Sequence, residues 1–192
     1  MQDKVNYISP ETFEKILAYV PNLNIRKQKD EDVQMLFKIL YECALRPIEG
    51  IMLLKEDFNL EDREVFLGKT KTTKNDNGAI PKEFLKELSY YLDLKEPGRL
   101  FPGLTYRTMF HWITRIGEAL EIKAWTTPEA ISGEKTKGHI FRKSIGKDML
   151  KGAFGEKAKN IAIISKHLRH KKISTTLDHY LKLDLEAVKE AL

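Results

Sequence analysis

The chain has 192 residues, with 33 Lys and Arg against 28 Asp and Glu, 42% apolar content and a single cysteine, which suits one compact domain and excludes an internal disulfide framework or a multi-cysteine zinc site. No stretch approaches the run of about 20 apolar residues that a membrane span needs, and the first residues lack the basic-then-apolar order of a secretory signal, so the sequence reads as a cytoplasmic protein. The net charge of +5 is unevenly placed: residues 134–182 hold 13 Lys and Arg against 4 Asp and Glu, while the rest of the chain is slightly acidic. A one-sided basic surface suits a polyphosphate partner, because each neutralised phosphate releases condensed counterions; a solvated lysine-rich face would carry the same charge.

Ser9 and Pro10 supply a cap and a first-turn proline for a helix through Tyr19, with Phe13, Ile16 and Leu17 on one face. From Glu31 the apolar positions Val33, Leu36, Phe37, Leu40 and Ala44 recur at helical spacing, and Cys43 falls within that core pattern. Pro47 ends this helix by forcing Arg46 out of the α region, and a second short helix then turns Ile48, Ile51, Met52 and Leu54 inward. At Glu64 the period changes. Residues 64–67 and 79–81 flank a turn-rich run over 72–78, which predicts a β-hairpin with Lys69, Lys71 and Lys74 around its tip.

Amphipathic helices follow over 83–94 and 106–120, a long loop over 122–138, and further helices over 140–151, 158–168 and from Ser174. The fold class is therefore mainly α with a small antiparallel β element (α+β). Trp112, Trp125, Tyr90 and Tyr91 are read as packing residues. Gly68-Lys69-Thr70 is not a phosphate-binding loop, because Arg63 stands where that motif needs glycine. His167, His170 and His179 lie among Lys166, Arg169, Lys171 and Lys172, a setting that repels a metal cation.

The strongest local pattern is His139-Ile140-Phe141-Arg142, followed by His170, the run Ile173-Ser174-Thr175-Thr176, and Tyr180. His139 and Arg142, three apart on a helix, project an imidazole and a guanidinium into the same space, which suits a phosphate. Arg46 offers a second guanidinium at a helix junction.

In order and spacing these boxes resemble the catalytic domain of the tyrosine recombinases, the phage-integrase-like site-specific recombinases. The shared features are an arginine in a Leu-Arg-x-x-Glu box (Leu45, Arg46, Glu49), a hairpin lysine, a His-x-x-Arg box, a histidine before Ile-Ser-Thr-Thr, and a tyrosine ten positions after that histidine. The resemblance spans about residues 9 to 185. It implies a site-specific recombinase or integrase that cuts and rejoins DNA through a 3′-phosphotyrosyl intermediate, with no metal, ATP or other cofactor. Arg46 and Arg142 would hold the non-bridging oxygens, His139 would act as base, His170 would bond a phosphate oxygen, and Tyr180 would attack. A hairpin lysine would protonate the leaving 5′-oxygen. Lys71, beside a threonine, is favoured over Lys69, which has the more usual distance from Arg46. Glu49 would orient the Arg46 box, and Lys143, Lys147, Lys171 and Lys172 would touch the DNA backbone.

The same resemblance implies a double-stranded recombination site as partner, in the nucleoid and away from membranes, with a tetramer on DNA for the full-length protein and a monomer for an isolated fragment. Residues 1–192 read as a single catalytic domain: a leader over 1–8, a core over 9–183 and a tail helix over 184–192. The N-terminal clamping domain usual in the family is missing from this sequence. Two alternatives share much of the pattern: a type IB topoisomerase-like relaxing enzyme, and a relative that binds DNA without cleaving it.

Overall fold

The computed structural model describes residues 7–68, 76–126, 138–152 and 158–180, the last three of these by their backbone alone. Helix α1 (Pro10–Tyr19) is capped by Ser9, whose hydroxyl accepts from the Thr12 amide. A 3₁₀ turn (Val20–Leu23) leads toward α2 (Asp30–Glu42), a deeply buried helix. Leu36, Phe37, Ile39, Leu40 and Tyr41 are wholly inaccessible, so α2 is covered on more than one side and has no wide polar face.

Helix α3 (Pro47–Met52) follows almost at once, and a three-stranded antiparallel sheet comes next, in the order β1 (Phe58–Asn59), β2 (Glu64–Leu67), β3 (Asp76–Ala79). Val65 pairs with Gly78 and Leu67 with Asp76. Helices α4 (Lys82–Asp93), α5 (Tyr106–Ala119) and α6 (Lys123–Thr126) complete the first two thirds. The remainder consists of α7 (Ile140–Lys151), α8 (Ile161–His167, capped by Asn160) and α9 (Ile173–Tyr180). The fold is thus mainly helical with one small antiparallel sheet, in agreement with the sequence reading.

An aromatic cluster joins the two halves of the chain. Phe13 stacks on Tyr41 at 4.2 Å between ring centroids, Phe37 stacks on Phe141 at 5.1 Å, and Trp125 meets Phe141 edge-on at 5.6 Å. These contacts seat α7 against α2, and the Ile8 amide fastens the N-terminal segment to the same helix by donating to Ser144 Oγ at 2.9 Å. Tyr41 adds a buried bond to Asp148 on α7.

Several local expectations are corrected. Ile48, Met52 and Leu54 are 45%, 49% and 37% exposed, whereas Gly50 packs against Leu36 and Leu40 of α2 and Ile51 is buried. Strand β3 begins at Asp76, so Asn77 and Gly78 are ladder residues and not part of the turn. Lys123–Thr126 is helical within the expected loop, and Tyr90 is 68% exposed, whereas Tyr91 packs inward and donates to Asp32. Cys43 is buried, and that burial pushes its thiol pKa well up, as befits core filling.

Candidate active site

The site begins at the junction between α2 and α3. Ala44 leaves α2 in the left-handed region (φ 51°), and Pro47, as first residue of α3, holds Arg46 extended at φ −73°, ψ 148°. Glu49, one turn into α3, folds back over this corner. Its carboxylate accepts from the Arg46 amide at 2.6 Å and from Arg46 Nη1 at 2.7 Å, so backbone and side chain of the same arginine are fixed together. Burial by itself would raise the Glu49 pKa. The Arg169 charge and the bonds from Arg46 outweigh it and hold the carboxyl below its usual range.

Helix α7 brings the second arginine. Gly138, at its start, lies so close to α3 that a Cβ there would come within 2.6 Å of Pro47 Cγ. A residue without a side chain therefore lets the start of α7 pack against Pro47, the residue after Arg46. One turn on, the buried Arg142 donates from Nη1 to the Ala44 carbonyl at 2.7 Å, tying α7 to the corner just before Arg46. His139 registers the convergence: burial and the charges of Arg142, Arg46 and Lys143 all lower its pKa below the ordinary value. At neutral pH the imidazole is neutral and able to take a proton. Two guanidiniums and an imidazole therefore share one cationic corner, built from segments distant in the chain.

The third element is the turn and helix after α8. His170 closes α8 through a bond from its amide to the Ser165 carbonyl, and its Nδ1 lies 2.7 Å from Thr176 Oγ1. Thr176 is wholly buried, so it anchors the ring orientation from within α9. The backbone of Tyr180 forms the end of α9, while its side chain lies outside the described residues. The hairpin lysines Lys69, Lys71 and Lys74 also lie outside them; the strands on either side, β2 and β3, are described.

Of the expected DNA-backbone lysines, Lys171 and Lys172 are exposed in the turn before α9, and Lys143 stands near His139. Lys147 places its ammonium 3.4 Å from the centre of the Tyr7 ring. His167 is a packing residue. Its Nε2 lies 3.0 Å from the Glu42 carbonyl, and burial with the nearby arginine charges pushes its pKa down to about 4. Among the described residues no cluster of three metal-ligating side chains occurs, and no helix is long and apolar enough to cross a membrane.

Sequence reasoning missed Gly138, the Ala44 carbonyl, Thr176 as the anchor of His170, and Arg169. The glycine next to the His-x-x-Arg box was the one legible signal among these, since a residue free of Cβ beside a candidate site marks close backbone approach.

Comparison with known proteins identifies the family to which this mainly helical domain with a small sheet belongs. The family model described as "Phage integrase family" matches residues 6–186, and the chain belongs to that family. The catalytic domain of bacteriophage HP1 integrase superposes with a TM-score of 0.61 at 21% identity, covering 90% of this chain and 85% of that one. XerH site-specific recombinase, in a post-cleavage complex with a palindromic difH substrate, gives 0.67 at 19% identity, and XerA recombinase gives 0.64 at 20%. The chain is covered to 98% and 96% in these two comparisons but spans only 53% of that XerH chain and 63% of that XerA chain. No curated protein sequence matches it.

Proposed function

We propose that this chain is the catalytic domain of a site-specific DNA recombinase, acting through a covalent phosphotyrosyl intermediate. The observation that carries this reading is the corner at which Pro47 holds Arg46 extended, Glu49 fixes its side chain and the buried Arg142 donates to the Ala44 carbonyl, with the His139 pKa lowered beside them by burial and by the charges of Arg142 and Arg46. A neutral base flanked by two fixed guanidiniums fits an in-line displacement at a phosphodiester.

In this mechanism the Tyr180 hydroxyl gives its proton to His139 as its oxygen bonds to phosphorus, and the bond from phosphorus to the 5′-oxygen breaks. The departing oxygen takes a proton from a hairpin lysine, Lys71 in preference to Lys69, because a bare alkoxide leaves slowly. Arg46 and Arg142 donate paired bonds to the non-bridging oxygens and stabilise the extra charge of the phosphorane, and His170 donates to one of them. Glu49 keeps Arg46 aimed. Attack of another strand's 5′-hydroxyl on the phosphotyrosine runs the same steps backward, so the bond energy is retained and neither ATP nor metal is required. Lys143, Lys147, Lys171 and Lys172 serve the flanking DNA backbone.

The proposed domain division is that of the sequence reading, a single catalytic domain with its core over 9–183, to which Ile8 is also fastened. Duplex DNA is the partner, and pairing of two recombination sites calls for four subunits in the full protein. The test is capture of a protein–DNA adduct from a pool of nicked suicide duplexes with randomised cores, read on denaturing gels and by sequencing. The wild-type chain yields an adduct and Tyr180→Phe yields none. Absence of any adduct, or its persistence in Tyr180→Phe, overturns the proposal.

A further inference from the structure

Arg169 is used by none of these steps, yet it is placed at their centre. It lies in the turn between α8 and α9 in the left-handed region, φ 48°, a conformation unfavourable for a residue with a Cβ. Its side chain is only 4% exposed. Nη2 donates to Glu49 Oε2 at 2.5 Å, and Nε lies 3.2 Å from Asp76 Oδ2 on the first residue of β3. Nη1 packs beside Gly78, where a Cβ would come within 3.3 Å of it and 2.9 Å of Val65. Nε and Nη1 have no well-aligned hydrogen-bond acceptor among the described residues, so Asp76 is held through charge and Gly78 through contact.

One buried cation thus touches three things: the turn that carries His170, the carboxylate that aims Arg46, and the strand returning from the lysine-bearing tip. Charge balance alone does not call for this arrangement. Glu49 already has Arg46, and the side chain of Asp76, 38% exposed, has water available to it. Glycine would fit the backbone of position 169 without strain. What an arginine adds is reach, a planar fork long enough to hold two elements at a set separation.

From this geometry we infer that Arg169 is a positioning residue that locks the β2–β3 hairpin to the arginine corner and so sets where the tip lysine meets the departing 5′-oxygen. The inference rests on the phosphotyrosyl reading and adds a regulator of its protonation step. In that step the bond from Tyr180 oxygen to phosphorus forms, the bond to the 5′-oxygen breaks, and the lysine ammonium supplies the proton to that oxygen.

The test compares single-turnover cleavage of suicide duplexes carrying oxygen or sulfur at the 5′-bridging position. Sulfur leaves as a thiolate and needs no proton, so it bypasses the lysine but not the arginines. Arg169→Gly slows cleavage of the oxygen substrate by at least about tenfold, a part of the roughly 10²–10⁴-fold that a general acid supplies, and regains most of the loss on sulfur. Lys71→Ala or Lys69→Ala, whichever is the acid, shows the same recovery, Arg142→Ala stays slow on both, and Arg169→Lys falls between Arg169→Gly and wild type. Equal slowing of Arg169→Gly on both substrates, or no slowing, overturns the inference.

Failure of the underlying reading has a different signature. If wild type forms no adduct, or neither lysine variant recovers on sulfur, the chemical role falls, and the tie itself is decided by amide exchange. Arg169→Gly and Asp76→Asn then speed exchange at residues 76–79 by about tenfold or more while α2 is unchanged, and unaltered exchange overturns the tie as well.

Discussion

Glu42 and Glu49 stand on either side of the same helix junction, and both are largely withdrawn from water, yet their charges are treated in opposite ways. Burial, reinforced by Glu83 and Glu87, pushes the Glu42 pKa up to about 7. At Glu49 the burial cost is overcome by Arg169 and Arg46, and the carboxyl is held below its usual range. Asp148, on the same side as Glu42 and bonded to Tyr41, is likewise raised by burial to about 6. Burial alone therefore does not decide the state of an acid in this core. Proximity to guanidiniums does, and the guanidiniums collect where the phosphate is expected.

The comparison breaks most readily at the arginines. Arg142→Ala is expected to lower single-turnover cleavage by about 10²–10³-fold, the range found when one donor to a developing oxyanion is removed. Arg142→Lys is expected to restore little, since an ammonium cannot reproduce the paired geometry. A cleavage rate within about threefold of wild type for Arg142→Ala would remove the phosphate from this corner.

Next in size is the paired acid. Glu49→Gln leaves Arg169 buried without its carboxylate and is expected to cost about 3 kcal/mol in urea unfolding at pH 7. Because the folded-state pKa of Glu49 is lowered, its stabilisation is complete above the ordinary carboxylate range and is lost as pH falls through the lowered value. The difference between Glu49→Gln and wild type should accordingly narrow toward pH 3.

The smallest effect has the opposite sign. Glu42 binds its proton more tightly folded than unfolded, so its contribution to stability declines as pH rises from about 4.5 to about 7. Glu42→Gln is expected to gain about 1 kcal/mol at pH 8 and nothing at pH 4, read from urea midpoints. A loss at pH 8 would mean that the Lys38 charge outweighs burial at Glu42, and the contrast with Glu49 would vanish.

Much of the fold was legible because its determinants are local. Proline 47 announced the junction, the apolar spacing of 33–44 announced α2, and Ser9 announced the first cap. The hairpin was harder. Asp76-Asn77-Gly78 has turn composition, yet it pairs with β2, because Gly78 lets the strand approach Leu45 and Val65 closely, a requirement set by residues elsewhere in the chain. Exposure of Ile48 and Met52 was hidden for a related reason: a helix of six residues shows too little of its period to reveal which side is covered.

At the site, the residues with their own sequence boxes were readable. The supports were not. Arg169 reads as one more basic residue in a basic stretch, and its carboxylate partner is 120 positions away. The Ala44 carbonyl that holds Arg142 is a backbone atom with no sequence mark at all.

The bond between His170 and Thr176 also sets a lever. Helix α9 rises about 1.5 Å per residue, so the backbone of Tyr180 lies about 6 Å along the axis from the buried threonine. A swivel of about 20° about that pivot displaces the far end by about 2 Å, roughly the gap between touching a reactive atom and standing clear of it. A modest rocking of one short rod, with its fulcrum sealed in the core, is thus geometrically enough to advance or withdraw the backbone that carries the proposed nucleophile.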